Sequence, residues 1–494
     1  RIAETAGEEA GRKITSATFH SFCAAVLRKY SGQAGIPEDF RVLDEEEQRG
    51  ILEEVLRETA GGKRGPRLRA AASYIEERKR FLLLPGQTSP GFSAAGLELF
   101  AGEAAALRAD PLLEAVYAGY RNRLKALGVL DFDDLIAGAL RLIARRDSVP
   151  APGPYSHIFV DEYQDVNFAQ YVLIRALVPS KTPAMSEASA ASMASTVSGV
   201  SPVSAGAGST GEGATGEGPR LCVIGDPDQA IYGFRGADPR YIDRFREDYP
   251  GAAVYHLTKS FRCAAPILSA ADSLSGRRLE GKAAPARIVR CQYPTEKAEA
   301  EGIARRISRL IGGSAFFALD SGIVDSTEEG GLQSFGDCAI LLRASAMAAP
   351  IEKALKDHGI PFHLIGEKPW REELHIYVEA VNILTIHASK GLEFDHVFIA
   401  GLEEGLLPFT LYDGDSSPDS IATNTKIEEE KRLLYVAMTR ARTGLYLSHA
   451  RSRMFQGRKL DYGPSRFLRH LEPHVPAETE TLPPRKKDPQ LRLF

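Results

Sequence analysis

Short apolar runs of strand length recur along this chain with helical patterns between most of them. That alternation limits the fold more than any other feature. The runs are Ile158-Phe159-Val160, Leu221–Ile224, Val254–Leu257, Ile288–Cys291, Cys338–Leu342, Ile383–Ile386, Val397–Ala400 and Leu445–Ser448. Strands joined through helices pair in parallel, with helices covering both faces of the sheet. With 494 residues the chain is long enough for two or more such domains. The alternation breaks near residue 260, which predicts the boundary between two α/β domains. Nearer the start, Lys13–Phe19 reads as a strand and a helix is expected from Ser21. Residues 31–145 read as mostly helical, because Glu45–Thr59 and Leu112–Leu127 repeat apolar residues at three- and four-residue spacing.

Two segments differ in kind. Residues 180–219 are dominated by Ser, Ala, Gly and Thr with repeated Gly-Glu-Gly. Such a stretch cannot bury enough surface to fold, so a flexible surface insertion is expected. Residues 473–489 are rich in Pro, Glu and Lys, and are expected to be disordered.

A net charge of −4 does not advertise nucleic acid, so any such contact must come from local basic surfaces. Basic clusters occur at Lys63, Arg64, Arg67 and Arg69, and at Arg78, Lys79 and Arg80; each taken alone reads as a solvated helix face. The five cysteines are odd in number and form no CxxC pair. That pattern argues for reduced thiols in a cytoplasmic protein, against a disulfide framework and against a zinc site. No apolar run approaches the roughly 20 residues of a membrane span, so no membrane partner is expected. No secretory signal opens the chain, and its first residue is Arg1 rather than Met, so the natural start is expected elsewhere.

The strand Ile158-Phe159-Val160 ends in Asp161-Glu162, followed by Tyr163-Gln164-Asp165. Open α/β sheets bind ligands at the carboxyl ends of their strands. There one carboxylate can hold Mg²⁺ while the next orients or deprotonates an attacking water. The alternative is a helix N-cap, a common use of acidic residues. After the next strand comes Gly225-Asp226-Pro227-Asp228-Gln229-Ala230-Ile231-Tyr232-Gly233-Phe234-Arg235-Gly236-Ala237. The Gln229 amide could sense a phosphate, and Tyr232 and Phe234 could stack on unpaired bases, worth about 1–3 kcal/mol per base. Core packing is the competing use for such aromatics.

These two blocks resemble motifs II and III of UvrD/Rep-type superfamily 1 DNA helicases. Further blocks follow the family's order. Thr18-Phe19-His20-Ser21-Phe22 resembles motif Ib, and Gly128 to Leu135 resembles the segment leading back into the first motor domain. Ser260-Phe261-Arg262 resembles motif IV, Leu384 to Phe394 motif V, and Glu428 to Arg442 motif VI.

The resemblance implies two RecA-like parallel-sheet motor domains of P-loop NTPase type, with a helical insertion in the first. The first domain would span 1–260 with the insertion at 31–130, the second 261–472, and the tail 473–494. It implies ATP and Mg²⁺ as cofactors, single-stranded and duplex DNA as partners, and ATP-driven 3′–5′ translocation in replication or repair. The nucleotide would be bound between the two domains. By the same resemblance Asp161 holds Mg²⁺, Glu162 is the base for the hydrolytic water and Gln229 reads the γ-phosphate. Arg262 and Arg440 clamp the transition-state charge, where an arginine can be worth about 10³–10⁵ in rate. Phe261 stacks on adenine and Glu393 lies near the nucleotide sugar. Thr18, His20, Tyr232, Phe234, Arg235 and His387 line the single-strand track. For Arg262 and Arg440 the competing use is a surface ion pair.

Three departures from the family pattern stand out. A phosphate loop needs GxxxxGK[ST] after a strand. None occurs: Gly7 and Gly11 are too close, Arg12 separates Gly11 from Lys13, and Gly61-Gly62-Lys63 lacks the spacing. The chain is therefore expected to be a fragment that lacks its N-terminal portion and does not hydrolyse ATP. Between motifs IV and V the family inserts a large helical subdomain, for which Gly366 to Ile383 leaves almost no room. Phe261 stands where relatives often have tyrosine.

The last residues, Gln490-Leu491-Arg492-Leu493-Phe494, resemble the peptide with which bacterial replication and repair proteins dock on the DNA sliding clamp. Gln490 would be the polar anchor, with Leu491, Leu493 and Phe494 as apolar contacts. The rival reading is a non-hydrolysing single-stranded-DNA-binding or clamp-tethered interaction protein. The helicase half of a helicase–nuclease is disfavoured, because residues 443–494 show no nuclease constellation.

Overall fold

The computed structural model describes residues 13–60, 66–89, 107–144, 155–178, 219–311, 334–366, 379–411, 421–475 and 477–478. The chain divides into two compact units. One comprises Arg1–Pro227 with Tyr232–Ala253, the other Asp228–Ile231 with Val254–Phe494. The chain thus changes unit at Val254, ahead of the expected boundary at 260, and the short segment 228–231 carries Gln229 into the second unit.

In the first unit the described chain begins with α1 (Phe19–Lys29). The sequence expectation of a strand over Lys13–Phe19 is corrected here. Thr18 is the N-cap of α1, its hydroxyl accepting from Ser21 N at 3.2 Å, so the chain turns helical at Phe19. A helical subdomain follows, with β1 (Arg41–Val42), α2 (Glu45–Ala60), α3 (Leu68–Arg80), α4 (Pro111–Leu127) and β2 (Val129–Leu130). It has its own core, in which Leu52, Val55, Ile75, Tyr117, Tyr120 and Leu124 are buried together. β1 and β2 pair in parallel, and Gly128 between α4 and β2 takes φ +64°, the left-handed conformation of a helix C-cap.

The run Arg78-Lys79-Arg80 is not the solvated face expected of it. Arg78 is 2% and Lys79 6% exposed. Arg78 pairs with Glu114, and Lys79 pairs with Asp131 and, at 3.0 Å, with Asp134. Buried cations persist where carboxylates meet them, and these partners come from α4 and from the start of α5 (Phe132–Ala144).

The parallel sheet of this unit consists of β3 (His157–Val160) and β4 (Arg220–Val223) among the described residues. Helices α5 and α6 (Phe168–Leu177) pack with α1 in a core that includes Leu27, Leu140, Val160, Tyr171 and Ile174. A capping box of Asn167 and Gln170 starts α6. The segment 180–218 between α6 and β4 lies outside the described residues, as do the basic residues Lys63 and Arg64.

The second unit opens with β5 (Lys259–Ala264), α7 (Ala265–Ser275) and β6 (Glu280–Lys282). Its main sheet is built from β7 (Arg287–Thr295), β8 (Cys338–Leu342), β9 (Phe362–Leu364), β10 (Val381–Thr385), β11 (Phe394–Ile399), β12 (Ala441–Phe455), β13 (Arg458–Leu460) and β14 (Ala477–Glu478). The strand order is β14-β7-β12-β11-β8-β10-β9, every pairing parallel, with β13 adding an antiparallel hairpin to β12. Helices α8 (Glu296–Leu310), α9 (Ala348–Asp357) and α10 (Ile421–Met438) lie between its strands in sequence. Strands β8 and β10 are buried almost throughout, as a parallel sheet covered on both faces requires. The fold is mixed α/β with parallel sheets, as the alternation predicted.

Two further expectations are corrected. Val254–Leu257 has strand-like alternation but pairs with no strand among the described residues. Tyr255 and Leu257 are each 86% exposed, because a strand forms only where a neighbour supplies hydrogen bonds. The tail does not lose order at residue 473. Val475 is buried, and Ala477–Glu478 pairs with Arg290–Cys291 of β7. The rest of the tail, and the shortened stretch 367–378, lie outside the described residues. No described helix is long and apolar enough to cross a membrane.

Candidate nucleotide and nucleic-acid site

In the first unit the carboxylate pair sits where β3 ends. Asp161 and Glu162 are both exposed, and Glu162 takes φ +53° and ψ 41°, a left-handed conformation rare for a side-chain-bearing residue. Such strain, of order 1–3 kcal/mol, is held only where surroundings enforce it and gathers at functional sites. Here the surroundings are specific. Glu162 N–H donates to Asp161 Oδ1 at 2.9 Å, and Tyr163 N–H donates to Ile224 O at 2.9 Å, tying the turn to the end of β4. Glu162 occupies the N-cap position of the short 3-10 turn Tyr163–Asp165 but makes no side-chain cap hydrogen bond there, and α6 is capped by Asn167 rather than by either acid.

Gln164, 1% exposed, links the two blocks. Its Nε2 donates to Glu162 Oε2 at 2.5 Å and its Oε1 accepts from Asp226 N at 2.9 Å. Gly225 makes room for it, since an added Cβ there would lie 2.7 Å from Gln164 Oε1. The sequence alone assigns Gln164 no role. Its signal was an amide between acidic residues at a strand end, a group able to donate to one neighbour and accept from another.

Of the aromatics after this turn, Tyr232 is half-buried and Phe234 exposed. Phe234 is 61% exposed, its ring centroid 6.1 Å from that of Tyr232. The Arg235 guanidinium lies 5.3 Å from the Tyr232 ring centre and 5.5 Å from that of Phe234. Burial, more than the nearby Asp165 carboxylate, raises the Tyr232 hydroxyl above its ordinary range.

Near α1, Thr18 is occupied as a helix cap, and its hydroxyl also donates to Ser21 Oγ at 3.0 Å. His20 packs edge-on against Phe132, ring centroids 5.6 Å apart, and burial lowers its pKa below 6.5. His20 is therefore neutral at pH 7, and offers a ring and a hydrogen bond rather than a cation.

In the second unit Arg440 is 1% exposed. Its Nε donates to Val436 O at 3.0 Å, Nη1 to Leu392 O at 3.2 Å and Nη2 to Gln229 Oε1 at 3.3 Å. Lys390 Nζ reaches the backbone oxygen of the same glutamine at 2.7 Å. Gln229 is thus gripped by motif V through its main chain and by motif VI through its side chain.

Arg262 pairs through Nε with Glu393 Oε2 at 2.6 Å. Arg442 takes the other oxygen of Glu393 at 2.5 Å and Asp395 Oδ1 at 3.1 Å. These hydrogen bonds, Arg442's first and Arg262's second, hold the Glu393 carboxyl below its usual range. The surface-ion-pair alternative therefore describes Arg262 as it stands, but not the buried Arg440. Phe261 is 81% exposed with Lys259 Nζ 5.5 Å from its ring centre, a face open to stacking. His387 is half-buried on the single helical turn His387–Ser389 that follows β10.

The structure therefore brings Asp161, Glu162 and Asp226 together in the first unit. In the second it brings Gln229 to Arg440, and Arg262 to Glu393. Lys390 and Arg442 lay inside the motif blocks, but single-residue roles for them were not legible. Gln490, Leu491, Leu493 and Phe494 lie outside the described residues.

Paired carboxylates at the end of a parallel strand, an amide held by a buried arginine and an aromatic–cation cluster are groups of the kind that a nucleotide-driven nucleic-acid motor uses. Residues 1–250 match the UvrD/REP helicase N-terminal domain, and residues 367–452 match the UvrD-like helicase C-terminal domain. The chain belongs to the UvrD/Rep helicase family. It is 25% identical to the ATP-dependent DNA helicase PcrA of Staphylococcus aureus, over 99% of this chain and 80% of that protein. It is 30% identical to the ATP-dependent DNA helicase UvrD1 of Mycobacterium tuberculosis, over 74% of this chain and 41% of that protein.

Proposed function

We propose that this protein is an ATP-dependent DNA translocase of the UvrD/Rep type that moves 3′ to 5′ and opens duplex DNA in replication or repair. The observation that carries the reading is the hydrogen bond between Arg440 and Gln229, which joins motifs 211 positions apart. A glutamine that senses a phosphate needs its amide oriented, and an arginine donor to Oε1 orients it with Nε2 directed away.

The residues fit Mg²⁺ in the manner typical of that ion, through one or two carboxylates completed by water and phosphate oxygens. Asp161 is exposed and would hold it. No cluster of three His, Cys, Asp or Glu residues that could cage a metal alone occurs among the described residues. The ion would neutralise charge on the transferring phosphoryl group. Glu162 orients and deprotonates the attacking water, its own carboxylate fixed by Gln164. Arg262 engages Glu393 through Nε alone, so its terminal nitrogens remain available for phosphate oxygens. Phe261 stacks on the base, and Glu393 lies near the sugar. On the nucleic-acid side Tyr232 and Phe234 stack on bases with Arg235, while Thr18, His20 and His387 complete the track. Five cysteines outside any disulfide suit a reducing cytoplasm.

We further propose that these 494 residues alone do not turn over ATP, because none of them forms GxxxxGK[ST]. The terminal peptide Gln490 to Phe494 is proposed as a sliding-clamp ligand on its sequence.

The test is translocation by this chain fused at Arg1 to a phosphate-loop segment taken from a family member. Displacement of streptavidin from the 5′ end of a biotinylated single strand, lost with Glu162→Gln, is the expected result. Displacement from the 3′ end instead, or motion surviving Glu162→Gln, overturns the reading.

A further inference from the structure

We infer that Arg80, the last residue of α3, is a phosphate contact of the single-stranded DNA track. The helical subdomain thereby contributes directly to strand binding. This inference rests on the reading of Tyr232 and Phe234 as a stacking platform.

Arg80 leaves the buried company of Arg78 and Lys79 and lies against the turn after Arg235. Gly236 takes φ +81°, and a Cβ added there would fall 2.6 Å from Arg80 Cδ and 2.8 Å from Cζ. The glycine serves two needs at once: a left-handed turn after Phe234-Arg235, and space for an arginine arriving from α3. Its guanidinium is therefore packed against the backbone of Gly236, on the turn that follows Phe234 and Arg235.

A stacking platform needs a cation beyond the one lying on its rings, because the backbone that carries the bases must also be neutralised. Arg235 is engaged with both rings. Arg80 is 27% exposed, and its carboxylate partner Glu76 lies 3.7 Å away and is 60% exposed. A pair of that length and exposure contributes little and yields readily to phosphate. Lys79 cannot serve, since Asp131 and Asp134 hold it in the interior.

The experiment is fluorescence anisotropy of labelled oligothymidine and a mixed-sequence strand with the 494-residue chain, titrated from low to high salt without nucleotide. Each neutralised phosphate on a single strand contributes about 0.7 to the slope of log affinity against log salt. Arg80→Ala is expected to lower that slope by about 0.7 and to weaken both strands several-fold and equally, with Arg80→Lys restoring the slope. Gly236→Ala, which displaces the arginine, is expected to reproduce the loss. Wild-type slope in Arg80→Ala, with affinity still lost in Tyr232→Ala, overturns the inference and leaves the platform standing. No single-strand binding by the unaltered chain overturns both.

Discussion

Gln229 and Arg440 meet through Oε1 and Nη2 at 3.3 Å, the arginine 1% exposed and hydrogen-bonded also to the carbonyls of Val436 and Leu392. Removing that side chain leaves buried acceptors without their donor, at roughly 1–3 kcal/mol. Arg440→Ala is predicted to lower the unfolding free energy of the second unit by about that amount, measured as the urea midpoint. An unchanged midpoint would show that the guanidinium contributes nothing structural.

Glu393 bridges Arg262 and Arg442, and its carboxyl titrates below the ordinary glutamate range because of them. A carboxylate with a depressed folded pKa adds stability above its unfolded value, near 4.3, and loses it as pH falls through the folded value. The side chain is 37% exposed, so solvent screening holds the contribution to about 1 kcal/mol or less. Glu393→Gln is predicted to cost up to that much at pH 7 and less at acid pH, where the carboxyl is increasingly protonated. Equal cost at both pH values would contradict the assignment.

Of the five thiols, only Cys222 is exposed. Burial pushes Cys23 up to about 12 and raises Cys263 and Cys338 as well. A thiol-specific reagent at pH 8 is predicted to label one cysteine quickly in the native protein and five after unfolding, with Cys222→Ser abolishing the fast phase. Rapid labelling of two or more would mean the cores of the units open readily.

Much of the architecture could be read from period and order. β8 and β10 are near-continuous apolar runs, and α2 and α4 show helical spacing, because core-facing positions repeat with the geometry of each element. What escaped depends on contacts distant in sequence. Lys79 and Arg78 look like solvated charges until Asp131, Asp134 and Glu114 arrive from other elements. Val254–Leu257 alternates like a strand, but pairing is a property of two segments. The resemblance puts Thr18 on the nucleic-acid track, and the sequence gives no sign that its hydroxyl also caps α1. The role of Gln164 is not legible in sequence because its two hydrogen bonds go to different turns, one of them after β4 and far along the chain.

The claim on which the functional account turns is that these residues hold the acid, amide and arginine parts of the motor but no loop to cradle the phosphates. DNA-stimulated phosphate release by the 494-residue chain measures this directly, with Glu162→Gln as the control. The prediction is no release above background from either protein, although both bind single-stranded DNA. Robust release that Glu162→Gln abolishes would contradict it, and would mean that some other part of this chain holds the triphosphate.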